Sequence, residues 1–293
     1  MTIDVEAFSI PLNREDPSVI RQVHEEGLPL LLDLFSKYDV EATFYFTGTF
    51  AEQSPESIEL VKAHGHEIGC HGYDHSPGRA FDVLSYEEQV NDLKKAKQII
   101  EEVAGKIVSF RAPALRINED TVKALEDTGF ETDSSICSQR FDGPFTFGSK
   151  RKLKWLFAPR KPYRLSYDST IKVGESKVLE VPISAIFIPF IGTTMRITPT
   201  VVKLIQKILF AESKKTGKPV VFLFHPNECL SFNGIIQKTR RSGNAIQYLF
   251  ADLLRQKLKL RNLGPKSLRL LEDVLSKAKS EDFDFVSVKS YEN

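Results

Sequence analysis

Along the first half of the chain, short runs in which apolar and polar residues alternate are separated by longer stretches with apolar residues three and four apart. Ala42-Thr43-Phe44-Tyr45-Phe46-Thr47 alternates and stops at Gly48, which reads as a strand. Ser54-Pro55-Glu56 offers an N-cap residue, a proline at the first helical position and an acid in the first turn. A helix therefore starts there and ends near His64-Gly65. Residues 67–71 are short and extended. Val90, Leu93, Ile100 and Val103 fall at helical spacing within 86–104, with acids ahead of bases. Residues 106–110 read as a strand, Asn118 caps a helix through Leu125 that stops at Gly129, and residues 131–135 are extended again. Strands alternating with helices imply a parallel sheet with helical crossovers.

The second half is less regular. Residues 136–180 mix glycine, proline, aromatics and bases with no clear period. Residues 178–184 read as a strand, Thr198-Pro199 opens a helix to about Lys215, and Val220 to Phe224 is a buried apolar strand. Helical patterns follow over 244–260 and 265–279, and residues 283–288 are expected as a last strand. No repeat, low-complexity segment or linker divides the chain. One domain over residues 1–293 is expected, with insertions at about 136–180 and 230–262.

Composition narrows the class. The 293 residues are 41% hydrophobic and 27% charged, which suits a globular protein able to bury a large core without disulfides. Three cysteines argue against a disulfide framework. Forty Lys and Arg against 39 Asp and Glu argue against a dedicated nucleic-acid binder. The N-terminus has no leader pattern and no apolar run approaches a membrane span, so a cytoplasmic protein is expected. A truncation lacking its leader would look the same.

The chemistry-bearing residues share one kind of position, the C-terminal end of a short apolar strand. They are Asp4 and Glu6, His71 and His75, Arg111, Asp133, and His225. In closed parallel α/β barrels that face carries the active site. His71 and His75 stand at i and i+4, which on a helical turn places both imidazoles on one side, a workable geometry for one metal ion. Two polar histidines in a surface loop would read the same. Glu6 could add a carboxylate, and two histidines with one carboxylate is a pattern of catalytic zinc and of non-haem iron. His24 and His64 read as structural or solvated, and His66 as structural or as a support to the site.

Together, Thr2-Ile3-Asp4-Val5-Glu6, Gly69-Cys70-His71-Gly72-Tyr73-Asp74-His75-Ser76, Arg111-Ala112-Pro113, Asp133-Ser134-Ser135 and Leu223-Phe224-His225-Pro226 resemble the polysaccharide deacetylase family, also called the NodB-homology or carbohydrate esterase 4 family. All five family motifs occur in order over about residues 1–229. The resemblance implies a distorted (β/α)7-type barrel and hydrolysis of an N-acetyl or other N-acyl group on a sugar. It implies Asp4 as general base, His71 and His75 as ligands of a divalent metal, with zinc expected, and Arg111 as the residue holding the base. It also implies Asp133 as the residue tuning the acid and His225 as the acid. The commonest first motif has two adjacent aspartates. Here Val5 follows Asp4 and Glu6 is the second carboxylate, as in an Asp-x-acid branch of the family. The third motif commonly ends in an aromatic. Ala114 keeps the backbone N–H that helps hold the oxyanion but offers no ring to pack on the sugar.

These roles make chemical sense. Amide hydrolysis needs an activated water, a stabilised oxyanion and a proton for the leaving amine. Two other readings stay open: a metal-independent amide hydrolase on the same fold, similar to the allantoin hydrolases, and a non-catalytic sugar-binding module. Retention of both histidines and an acid counts against the first, and retention of Asp4 with His225 against the second.

Residues 150–164 hold seven bases and no acid, interleaved with Trp155, Phe157 and Tyr163. A solvated loop is one reading. The other is an anionic partner, a lipid-phosphate-linked or nucleotide-linked amino sugar, met by a protein peripheral to the inner membrane face. Pro113, Ala114, Lys152 and Trp155 are the substrate contacts expected from these segments.

Overall fold

The computed structural model describes residues 1–141, 150–232 and 254–292. Seven short strands run parallel around a closed, distorted barrel: β1 (Thr2–Val5), β2 (Thr43–Phe46), β3 (Glu67–Cys70), β4 (Ser109–Phe110), β5 (Thr132–Asp133), β6 (Leu179–Glu180) and β7 (Leu223–Phe224). Their order is β7-β1-β2-β3-β4-β5-β6. An antiparallel hairpin, Tyr163–Ser166 with Ser169–Val173, pairs with β6 on its other side. Just beyond β6 the chain leaves the hairpin and closes the barrel. Ser184 N–H donates to Val221 O at 3.0 Å, and Val221 N–H donates to Ser184 Oγ at 3.0 Å.

The helices are set by their caps. Ser85 and Glu88 form a capping box at the start of Tyr86–Ala104, and Asn118 with Thr121 does the same for Glu119–Asp127. The helix Pro199–Thr216 ends on Gly217 in the left-handed region. Apolar side chains from the strands and these helices join one continuous core. The Pro265–Lys279 helix falls where the pattern places it. Most of the pattern at 244–260, with parts of both expected insertions, lies outside the described residues.

Two expectations are corrected. The ladders are shorter than the apolar runs: only Ser109–Phe110 of 106–110 and only Leu223–Phe224 of 220–224 form strand. Residues 283–288 form no strand. Side chains at the N-terminal end of the barrel hold that segment instead: Val288 N–H donates to Thr43 Oγ1 at 2.8 Å and Lys289 N–H to Glu67 Oε2 at 3.2 Å. The apolar residues here close the barrel floor rather than extend its wall. Among the described residues no helix is long and apolar enough to cross a membrane.

Candidate active site

Glu6, His71 and His75 converge at the C-terminal mouth of the barrel, with one ligand atom from each lying within 4.8 Å of the others. The expected helical turn between the histidines is absent. His71 follows β3 directly, and the loop turns back at Gly72, where φ is +70°. A side chain there would be strained and would press on Pro113, whose Cγ lies 3.0 Å from a Cβ built on Gly72.

The hydrogen bonds fix where the ring protons sit. His71 Nδ1 lies 2.8 Å from Arg111 O, which only accepts, so that nitrogen carries hydrogen and Nε2 offers its lone pair. His75 Nε2 accepts the Ala114 N–H at 3.0 Å, so that nitrogen is unprotonated, and its lone pair would serve an ion once the N–H is released. Glu6 Oε2 lies 3.6 Å from His71 Nε2 and 3.1 Å from His75 Nε2. This oxygen is buried and meets no hydrogen-bond donor among the described residues. Burial works against a charged Glu6, but the surrounding histidines hold its carboxyl well below the usual range. A buried carboxylate oxygen beside two unprotonated imidazole nitrogens suits a cation, and two histidines with one carboxylate suit a divalent transition metal.

Asp4, at the end of β1, lies beside this set. Its Oδ1 accepts from Arg111 Nη1 at 2.8 Å. Arg111 is fully buried, donates from Nε to Ser134 O at 2.8 Å and lies over the Tyr45 ring. Asp4 Oδ2 lies 3.8 Å from His71 Nε2 and 3.9 Å from His225 Nε2. One carboxylate therefore faces both the ligand set and the candidate acid.

His225 sits where the resemblance places the acid, but its partner is not Asp133. Its Nδ1 lies 3.0 Å from Glu228 Oε1. The 3-10 turn Pro226–Cys229 brings residues three apart over one another and so sets Glu228 beneath the ring. Glu228 is clamped in turn by the fully buried Arg196 guanidinium. Desolvation lowers the His225 pKa, yet the Glu228 bond and the charges of Glu6, Glu228 and Asp4 win and raise it to about 9. Glu228 was missed in the sequence, although an acid three residues after a His-Pro pair is a readable turn signature. Arg196, far along the chain, carries no such local signal.

Asp133 instead faces Glu180, its register partner on β6. Burial raises both acids, Asp133 to about 6 and Glu180 well above its ordinary value. Strand geometry accounts for the correction: Asp133 belongs to the barrel lining between β4 and β6, while His225 leaves β7 on the opposite side of β1.

Of the expected substrate contacts, Ala114 is exposed at the mouth and Pro113 is buried against Gly72. Trp155 is corrected: its indole is buried in the core, because the 3-10 helix Lys150–Phe157 turns that face inward. The side chain of Lys152 lies outside the described residues. Lys154 is paired with Glu119 at 2.9 Å, and Arg160 donates from Nε to Glu212 at 2.7 Å. His24 bonds Ser57, and His66 stacks on Phe44 with its edge to Phe35, so both are structural.

The polysaccharide deacetylase family profile matches residues 16–132. Among curated proteins, the peptidoglycan deacetylase of Helicobacter pylori is 31% identical over 118 residues, 40% of this chain and 39% of the relative. A peptidoglycan-N-acetylglucosamine deacetylase of Bacillus cereus is 31% identical over 105 residues, 36% of this chain and 47% of the relative. The chain thus spans less than half the length of these two relatives. A crystal structure from Mycobacterium smegmatis assigned to the polysaccharide deacetylases superposes with a TM-score of 0.63 at 21% identity, covering 99% of this chain and 86% of that one. Another so assigned, from Pseudomonas aeruginosa, gives 0.58 at 18% identity, with 98% and 81% covered. Both show the same fold. The matched profile contains His71, His75 and Arg111, and the barrel brings Asp4, Glu6 and His225 to them from outside that span. The profile and the relatives make the chain similar to polysaccharide deacetylases over residues 16–132, and the two structures show that it shares their fold.

Proposed function

We propose that the protein is a metal-dependent hydrolase that removes the acetyl, or another acyl, group from the nitrogen of an amino sugar. The observation that carries this reading is the convergence of Glu6, His71 and His75 beside two oppositely equipped groups, Asp4 held by Arg111 and His225 held by Glu228. The names of the relatives, which act on peptidoglycan amino sugars, support the substrate class. Glu6, His71 and His75 would hold the ion, for which zinc is proposed. When bound, it supplies electrophilic activation of water and of the amide carbonyl.

The protein groups divide the remaining work. Asp4, aimed by its bond from Arg111, takes the proton of the attacking water. The Ala114 N–H, which bonds His75 Nε2 in this structure, would turn to the oxygen on which negative charge develops once that nitrogen holds an ion. His225, charged by Glu228, gives its proton to the leaving nitrogen. This division needs a base and an acid beside the ligand set; Asp4 Oδ2 lies 3.8 Å from His71 Nε2 and His225 Nε2 4.0 Å from Glu6 Oε1. A lipid-phosphate or nucleotide handle on the substrate was expected to meet free bases. Lys154 and Arg160 are paired within the chain, and the ligand proposed is the acylated sugar itself.

The test is acetate release from N-acetylated chito-oligosaccharide and from peptidoglycan by protein stripped of metal and then reloaded with zinc. Release that needs the ion and is abolished in Asp4→Asn is expected. Release unaffected by Asp4→Asn would sink the assignment of the base.

A further inference from the structure

One buried pair plays no part in the chemistry above. Asp133 and Glu180 face each other in register on β5 and β6, and both are fully buried. Burial, and for Glu180 the neighbouring Asp133 charge, raise both carboxyls above their ordinary values. Asp133 Oδ2 and Glu180 Oε2 meet no N–H or O–H donor among the described residues. Two fully buried carboxyls on facing register positions favour holding a proton between them over carrying two charges. The charged and titratable groups facing them are Arg111 from the end of β4, Tyr45 from β2 and Tyr163 from the hairpin.

From this pair a chain of bonds leads to the mouth. Ser135 donates its hydroxyl to Asp133 Oδ1 at 2.5 Å, and Ser135 Oγ accepts the Ala112 N–H at 2.9 Å. Ala112 opens the turn Pro113–Leu115, in which Ala114 and Leu115 have φ of +53° and +55°. Two successive non-glycine residues in that region are strained and persist only when the ends of the turn are held. The Ala114 N–H leaves this turn toward His75 Nε2.

We propose, resting on the function assigned above, that Glu180 is a positioning residue for the Ala114 N–H, acting through Asp133, Ser135 and Ala112. The hydroxyl of Ser135 has one proton. Given to Asp133, it leaves the serine lone pairs for Ala112. That direction holds only while Asp133 Oδ1 is an acceptor, which requires the pair's proton to stay between Oδ2 and Glu180 Oε2. Glu180 provides the second oxygen, and the Ile136 N–H at 3.0 Å from Oε1 fixes its carboxyl. Without Glu180, Asp133 can take a proton at Oδ1, the Ser135 hydroxyl can rotate, and the turn loses its anchor.

The test uses the full chain, loaded with zinc, and two readouts. One is kcat and KM for acetate release from N-acetylated chito-oligosaccharide. The other is amide hydrogen exchange over residues 110–116, which needs no activity. For Glu180→Leu, kcat is expected to fall about 10- to 100-fold with KM nearly unchanged, and exchange at 112–114 to speed up. Glu180→Gln is expected to restore both, since its amide N–H can replace the shared proton. If Glu180→Leu does not fold, Ser135→Ala carries the test, with the same loss expected. Lost kcat with unchanged exchange, or a folded Leu or Ala variant equal to wild type in both readouts, overturns the proposal. If the wild type releases no acetate from the probe, the assigned function falls, and the exchange comparison still decides whether Glu180 holds the turn.

Discussion

His225 and Glu228 form a hydrogen-bonded pair, Nδ1 to Oε1 at 3.0 Å, with Arg196 closing on the far side of the glutamate. The acid's charge therefore depends on a residue of its own turn. A protonated His225 is the form that can donate, and its pKa is raised to about 9. Its contribution to stability is full below the unfolded value near 6.5 and is lost as pH rises through about 9. In Glu228→Gln the alkaline limb of the kcat profile should move down by a unit or more, roughly the size of one close charge. Asp133→Asn should leave that limb where it is. A limb that moves with Asp133 and not with Glu228 would show the family's usual pairing instead.

Removal of metal should cost stability as well as activity. Glu6 Oε2 is buried, meets no donor among the described residues, and lies 3.6 Å from His71 Nε2 and 3.1 Å from His75 Nε2. A bound ion stabilises by about 2.7 kcal/mol at a hundredfold excess over its Kd. Thermal unfolding should therefore rise on adding zinc to the stripped wild type. It should not rise in His71→Ala with His75→Ala, although this double variant should remain folded.

Arg111 is a fully buried cation whose partner Asp4 is also buried. Arg111→Ala should destabilise by about 3–5 kcal/mol, because the buried Asp4 carboxyl would lose the guanidinium bonded to it. Adding Asp4→Asn to that variant should recover part of the loss in urea unfolding while activity stays absent. Failure to recover would mean that lost packing over Tyr45, not charge, dominates.

What was legible in the sequence follows locality. The histidines, Asp4, Glu6 and Arg111 could be named because each ends an apolar run, and strand ends of a parallel barrel meet at one mouth. Capping residues such as Ser54, Ser85 and Asn118 lie within the helices they start, so most helices could be bounded. Glu180 stands inside an apolar run and gains meaning only beside Asp133, some 47 residues earlier, through strand pairing. Pairing likewise decides that residues 283–288 close a floor rather than add a strand. The i,i+4 spacing of His71 and His75 pointed to the right contact through the wrong backbone, because Gly72 allows a loop to do what a helical turn would have done.

The shared proton of Asp133 and Glu180 gives a pH dependence of definite sign. Burial raises both acids, Asp133 to about 6 from 3.8. The folded state therefore binds more protons than the unfolded chain from about pH 4 upward, to about 6 for Asp133 and further for Glu180. Stability from this pair is full below that range and falls as pH rises through it, by up to about 1.4 kcal/mol per pH unit for one proton. Urea midpoints of wild type and Glu180→Gln, measured from pH 4 to 7, should converge at low pH and separate upward, with the variant the flatter. Parallel curves would show that no proton is shared.

Trp155 separates substrate contact from core support. Its indole is buried among apolar side chains, and its carbonyl accepts the Gln139 N–H at 2.7 Å. Truncation to alanine should open a cavity and cost about 3–5 kcal/mol. KM for an N-acetylated oligosaccharide should stay within about twofold at a temperature where the variant is folded, since no ring face is available to a sugar. Trp155→Phe should recover most of the stability, because an aromatic of somewhat smaller volume still fills the site. A large rise in KM with stability intact would place the indole on the substrate and reverse the assignment.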